Sequence, residues 1–344
     1  MATDRAVVDW IATFRSILSL SVRKFFLLVS SNLLPIRRRL AQLASHLVVA
    51  LVALVVIGGA TRVMEAGLAC PDWPLCYGSL LPGRQMNLQV FLEWFHRLDA
   101  FVIGVALLVL FATAIWWRRQ LPSWLLPFSA ALLVLVLIQG ALGALTVLQL
   151  LPTGVVTSHL ALGLTLVALV SGLAQVLRAD PVPGSDAPVA AASAPLWWPL
   201  GAGLCATAVG AQCLLGGRMA TAWAARRCLD SGQACQWLHW HRSAATPVAA
   251  AVLLFVAVAL LANGWTRRQW PLLLPTAGLV VVQIALGVLT LRLGLAAPLV
   301  TVAHQLVASL LVALLAALTC RRPRPADLAA AADPDSPSLE PCHG

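Results

Sequence analysis

The chain has 344 residues, 60% of them hydrophobic and 10% charged, with a mean hydropathy of +0.88. Such a composition excludes a soluble globular domain and places the protein in a membrane. The formal net charge of +10 raises the question of a nucleic-acid partner, but the distribution of the basic residues excludes one. Arg37 to Arg39, Arg118, Arg119, Arg178, Arg267, Arg268, Arg321, Arg322 and Arg324 fall at the ends of apolar runs that alternate onto one side. This is the positive-inside pattern, and it predicts that both termini are cytoplasmic. Arg62, Arg84, Arg218, Arg226 and Arg227 on the opposite side weaken the bias without reversing it.

Residues 1–40 read as an amphipathic arm at the membrane surface: Arg5, Arg15, Arg23 and Lys24 precede an apolar stretch, Phe25 to Ile36, that is too short to span. A mitochondrial transit peptide is the rival reading, and Asp4 and Asp9 count against it. The compartment expected is therefore a bacterial inner membrane, with the mitochondrial inner membrane as the alternative. Nothing in the arm resembles a cleaved secretory signal.

Crossing about 30 Å of hydrocarbon takes roughly 20 apolar residues as helix. Runs of that kind lie at 43–61, 98–117, 124–150, 155–177, 196–217, 243–262, 271–291 and 298–319. The expected fold is an all-α integral membrane protein with eight transmembrane helices. They are arranged as two tandem, pseudo-symmetric four-helix bundles, 41–177 and 196–320. Between them, 178–195 carries Pro181, Pro183, Pro188 and Pro195 among alanine, glycine and serine, the composition of a flexible cytoplasmic linker. The tail, 321–344, reads as disordered.

The duplication rests on matched positions. Gly58-Gly59 closes the first span as Gly216-Gly217 closes the fifth, and Gln139 to Thr146 in the third matches Gln283 to Thr290 in the seventh. His96 and His241 open the second and sixth spans, each followed by arginine, Arg97 or Arg242. His159 and His304 lie early in the fourth and eighth, and both histidine pairs are 145 residues apart. Four spans per half keep the two copies in the same orientation.

This topology puts all four histidines near the outer face, two at one depth in each half. A lone intramembrane histidine usually bonds to a neighbouring helix. Two facing imidazoles in each of two copies instead suit axial ligation of a haem iron. Zinc or copper is less attractive because the pairs lack a nearby third ligand. His46 reads as interfacial, His239 points away from His241 by about 200° of helix turn, and His343 lies in the tail. Arg97 and Arg242 could meet haem propionates or simply reach up to the headgroups.

The outer loops carry Cys70 with Cys76 and Cys228 with Cys235, and an extracytoplasmic setting favours a disulfide within each loop. Each would be a structural staple over the pocket or a redox-active pair. Cys205 and Cys213 read as small apolar residues of the fifth span; Cys320 and Cys342 read as reduced cytoplasmic thiols.

The halves differ in their acids. Glu93 stands three residues before His96, where Leu238 precedes His241, and Asp99 stands three after, where Ala244 follows His241. A carboxylate in a partly desolvated site can exchange protons with a reacting group. An acid early in a helix also stabilises it against the dipole. Spacing leaves both roles for Glu93 open.

Taken together, Gly58-Gly59-Ala60-Thr61-Arg62, Gly67-Leu68-Ala69-Cys70-Pro71-Asp72-Trp73-Pro74-Leu75-Cys76, Glu93-Trp94-Phe95-His96-Arg97, His159, His241-Arg242 and His304 resemble the haem A synthase family over about residues 40–320. The resemblance implies oxidation of a ring methyl of haem O to the formyl group of haem A, for cytochrome oxidase. It implies haem b on His241 and His304, substrate haem near His96 and His159, and Glu93 as the essential acid. Haem O synthase, cytochrome oxidase assembly factors, membrane lipid and a second copy of the chain are the partners it suggests. The readings it competes with are a dihaem b-type cytochrome oxidising quinol and a haem transporter. The arm, the tail, the sequence around Cys228 and the role of Asp99 fall outside the match.

Overall fold

The structure is a computed structural model that describes residues 36–179 and 194–323. The arm up to residue 35, most of the linker and the tail from Arg324 lie outside the described residues. The chain divides after Arg39 into a short N-terminal unit, of which only Ile36 to Arg39 are described, and a large unit from Leu40 onward.

The helices are α1 (Ile36–Val63), α2 (Leu88–Trp116), α3 (Leu125–Leu148), α4 (Thr153–Ala179), α5 (Trp197–Thr221), α6 (Ala224–Ser231), α7 (Cys235–Leu261), α8 (Trp270–Arg292) and α9 (Pro298–Thr319). All but the short α6 are long and apolar enough to cross a membrane, which makes eight spans among the described residues. Helix is the expected outcome, because hydrocarbon offers no partner to an unpaired backbone group.

The largest departures from the apolar runs are α2 and α7, which begin well before them, and α6, which lies outside them. α2 begins at Leu88, well before the run at 98, because the Asn87 side chain caps it by accepting from the Val90 amide at 3.0 Å. Its polar first turns are carried by a buried ion pair described below. In the second outer loop α6 replaces an irregular connection, and it packs against α5 and α7.

α4 and α9 pack against each other at the centre and are the most buried spans. Ser171 of α4 donates to the Ala313 carbonyl of α9 at 2.7 Å. α5 packs on both α4 and α9, and α7 packs on α5 and α8. Leu200, Leu204, Leu254 and Leu261 are exposed on the outer surface, where lipid is their solvent.

The junction of the two halves relies on small residues, as close packing of membrane helices requires. A Cβ on Gly59 of α1 would fall 1.6 Å from Oε1 of Gln305 of α9, and Gln305 donates to the Val55 carbonyl at 3.2 Å. The matching Gly217 of α5 receives Leu160 of α4, whose Cδ2 lies 2.4 Å from where a Cβ would stand. Arg62, at the end of α1, donates to the Ala220 and Thr221 carbonyls at the end of α5, each at 3.2 Å. Its guanidinium lies 3.9 Å from the centre of the Trp223 ring. A cation is favoured at a helix C-terminus and over an indole face, so Arg62 fastens the first half to the second at the disulfide-bearing end.

Candidate functional site

Each of the four histidines lies against a glycine of the preceding long helix. A Cβ on Gly58 of α1 would stand 2.9 Å from Cε1 of His96 in α2, and one on Gly143 of α3 would stand 3.3 Å from Cε1 of His159 in α4. In the second half, Gly216 of α5 stands in the same way 3.0 Å from His241 in α7, and Gly287 of α8 stands 3.1 Å from His304 in α9. Only a residue without a side chain lets an imidazole approach a helix backbone this closely. His159, His241 and His304 are each the seventh residue of their helices; His96, the ninth of α2, lies two residues further in.

The glycines aim the rings at one another within each half. The ring centres of His96 and His159 are 6.4 Å apart and their planes are inclined at 71°. Two metal–nitrogen bonds of about 2 Å, added to the two ring radii, fill such a gap. His304 lies within electrostatic reach of His241. The Nδ1 atoms of His96, His159 and His304 are buried without a hydrogen-bond partner, an arrangement that awaits a further group.

All four imidazoles line one cavity of ≈ 2900 Å³ with a mostly apolar wall. A single small-molecule site usually has about 300–1,000 Å³, so the space exceeds what one drug-sized ligand needs. Glu93, Arg97, Leu238 and Arg242 also line it, and Asp99 does not. The two acids set apart by sequence are thus separated by the fold: Glu93 faces the cavity and Asp99 lies elsewhere on α2. Among the described residues no group of three or more His, Cys, Asp or Glu side chains could hold a metal ion.

Glu93 and Arg97 form the polar knot of the first half. Glu93 is 4% exposed, and its carboxylate accepts from the Cys70 amide at 2.8 Å and from Arg97 at 2.5 Å. Arg97 also donates to the carbonyls of Asp72 at 2.7 Å and Leu75 at 2.5 Å. The loop that contains the Cys70–Cys76 disulfide is therefore tied to α2 through one ion pair. Cys70 and Cys76 pack with Val90, Met86 and Trp94, and the Trp94 indole donates to the Leu80 carbonyl at 2.6 Å. Asp72 accepts from the Gly78 and Tyr77 amides at 2.8 and 2.7 Å, bonds that hold its carboxyl below the usual range. Trp73, Pro74, Leu80 and Leu81 of this loop line the cavity, so the loop serves as its cover in the first half.

The second half lacks this knot. Leu238 is buried at the place of Glu93, and Arg242 is exposed. Cys228 and Cys235 form the second disulfide, which joins α6 to the start of α7. His239 is exposed, and His46 bonds to the Gln42 carbonyl of its own helix at 2.8 Å. Cys205 is buried, and Cys213 and Cys320 are partly so.

Several residues of the site were passed over in the sequence. Gly143 and Gly287 lie inside the matched segments of the third and seventh spans, but spacing did not pair them with the histidines. Gln212, which donates to the His241 carbonyl at 2.7 Å, has no polar counterpart in the first half and so gave no repeat signal.

The family described as cytochrome oxidase assembly protein matches residues 41–316 of this chain. The chain belongs to that family. Among its relatives, the haem A synthase of Shewanella oneidensis is 35% identical over 152 residues, covering 39% of this chain and 44% of that protein. The haem A synthase of Mesorhizobium japonicum is 32% identical over 134 residues, or 36% of each chain. That of an Exiguobacterium species is 27% identical over 139 residues, covering 39% of this chain and 44% of that protein. The matched stretches thus span less than half the length of these relatives, whereas the family match covers all eight spans but for the ends of the first and last.

Two outcomes are expected for the family member described here. Glu93→Ala leaves the Arg97 charge and the Cys70 amide without their partner, at a cost of about 3–5 kcal/mol. Glu93→Gln keeps an acceptor and costs less. Thermal unfolding of the purified protein in detergent ranks them, and equal losses contradict the tether. Gly216→Ala drives a methyl against the His241 ring and costs about 1–3 kcal/mol. Gly210→Ala in the same helix, where a Cβ would meet nothing within 4 Å, is neutral or stabilising.

Proposed function

We propose that the chain is a haem A synthase, a membrane oxidoreductase that oxidises a ring methyl of haem O to the formyl group of haem A. The observation that carries this reading is the set of four imidazoles, two per half, each seated on a glycine and facing one apolar cavity. The residues fit the group: unpartnered buried imidazole nitrogens offer ligands, and the apolar wall suits a porphyrin.

In this reading the half 196–320 is the cofactor half, where His241 and His304 hold haem b. The half 41–177 is the substrate half, where His96 and His159 hold haem O. Bound haem b supplies a one-electron redox centre; the protein supplies position, dryness and proton handling. Arg242, exposed and lining the cavity beside His241, offers charge-assisted bonds to a propionate. Arg97 has three of its five N–H donors engaged by Glu93, Asp72 and Leu75. It holds the acid and the loop first, and offers a propionate only what is left.

Conversion of a methyl to a formyl group moves protons as well as electrons. Glu93 is the carboxylate at the wall of the substrate half, and it is held in place by Arg97 and the Cys70 amide, so it is the group placed to exchange protons there. The first-loop disulfide keeps the cover in place, and the absence of an equivalent acid near His241 suits a half that retains its cofactor. The setting is a bacterial inner membrane with both termini in the cytoplasm. Haem O synthase, cytochrome oxidase assembly factors, lipid and a second copy of the chain are the partners that go with it.

Membranes that contain the protein and are supplied with haem O should yield haem A on pigment extraction. In Glu93→Gln membranes conversion should fall by about 10²-fold or more while the second-half haem is kept. Undiminished conversion removes Glu93 from the mechanism, and no haem A from the parent protein removes the enzyme reading.

A further inference from the structure

Below the imidazoles the two halves of the cavity are walled differently. On α2, Leu98, Phe101, Val105 and Leu108 recur at helical spacing and so share one face. All four line the cavity and are exposed. The neighbouring wall on α3, which packs on α2, carries Leu133, Val136, Leu137 and Gly140. These rows make an apolar groove that starts beside Gly143, the seat of His159, and runs about 15 Å along α3 toward Leu133. Phe101 is 69% exposed and Leu137 67%, so the protein does not fill the groove and its side lies open to lipid.

Two glycines keep the groove empty. Gly104 of α2 and Gly140 of α3 line the cavity, and a Cβ on either would meet nothing within 4 Å. At Gly58 and Gly143, by contrast, a histidine ring takes the space. Glycine inside a helix costs stability, and at Gly104 and Gly140 no neighbouring side chain requires it. What these two positions leave is room.

The second half closes the same space. Matching His96 with His241 puts Thr246, Ala249 and Ala250 at the places of Phe101, Gly104 and Val105, and matching Gln139 with Gln283 puts Ile284 at the place of Gly140. All four of these residues line the cavity. One wall thus loses large apolar side chains and gains a hydroxyl, while the other carries a branched side chain where the first half has open space. The histidines and their glycine seats are common to both halves, so the difference lies in the wall alone.

Haem O and haem b share the porphyrin and its propionates, and they differ where haem O carries a long isoprenoid chain in place of a vinyl group. We propose that the groove between α2 and α3 takes that isoprenoid chain, and that Ile284 excludes it from the second half. This inference rests on the haem A synthase reading above. In a bilayer an apolar chain gains little by exchanging lipid for protein, so shape decides: a fitted groove offers close contacts, and a side chain in the way refuses entry. The open side of the groove lets the chain enter from the membrane while the porphyrin reaches His96 and His159. Each half then accepts one of two haems that the histidines alone do not tell apart.

The test uses the full-length purified protein carrying its second-half haem, titrated with haem O and with hemin and followed by the bis-imidazole absorbance of the first-half site. The parent should bind haem O about tenfold or more tightly than hemin. Gly140→Ile, which installs the second-half residue, should weaken haem O binding by about 10- to 200-fold and leave hemin, which has no chain, bound as before. Unchanged haem O affinity in that variant, or an equal loss for both haems, overturns the proposal. Should Gly140→Ile fail to fold, Phe101→Thr decides by the same comparison, with a loss for haem O alone expected and no loss, or an equal one, contradicting it. A parent that binds both haems equally leaves the groove to bilayer lipid and removes this inference alone. A parent that gives no bis-imidazole spectrum with either haem removes the haem reading and this inference together.

Discussion

The contact between an imidazole and a glycine one helix away is the constraint on which the site depends. An imidazole in hydrocarbon needs polar company, and a ring that must face a cavity cannot also be buried among large side chains. Glycine resolves the conflict by letting the Cε1 edge of the ring come up against a helix backbone. Gly58, Gly143, Gly216 and Gly287 do this at four equivalent places. Helices packed any further apart would leave the rings too distant to share a ligand, and side chains at those positions would push them out of the cavity wall. The same reliance on absent side chains joins the halves, where Gln305 lies over Gly59 and Leu160 over Gly217.

On that shared plan the two halves diverge through a few residues. Glu93 and Arg97 bind the first loop down over the cavity, whereas Leu238 and the short helix α6 take that region in the second half. The buried acid is placed by two bonds, from the Cys70 amide and the Arg97 guanidinium, rather than left free at the membrane boundary. Burial of such a pair is not free, and desolvation offsets much of the Coulombic gain. What it supplies is specificity: the loop carbonyls of Asp72 and Leu75 have one guanidinium to meet, and the disulfide beside them restricts where they can go.

Much of this was legible in the sequence. Eight spans follow from apolar length. The four histidines were assigned to one end of the bundle by counting spans. What the sequence did not yield were contacts between helices remote in the chain. Asn87 moved the start of α2 because a cap acts on a helix whatever the hydropathy of its first turns. In the sequence Arg97 reads as a propionate contact or a cation reaching to the headgroups, because its partners, the carbonyls of Asp72 and Leu75, are backbone atoms that no side-chain pattern reveals. Arg62 was visible as part of a motif, but its grip on the end of α5 depends on how the halves meet. Gln212 is hidden for a different reason: a position that differs between two copies leaves no trace in a search for what the copies share.

The central claim is that the paired imidazoles of the second half hold a resident haem independently of the first. Electron paramagnetic resonance of the purified, oxidised full-length protein tests it most directly. The result expected is a low-spin ferric bis-imidazole signal in the parent that persists in His96→Ala and disappears in His241→Ala. Persistence of the same signal in His241→Ala, or its loss in His96→Ala alone, contradicts the assignment.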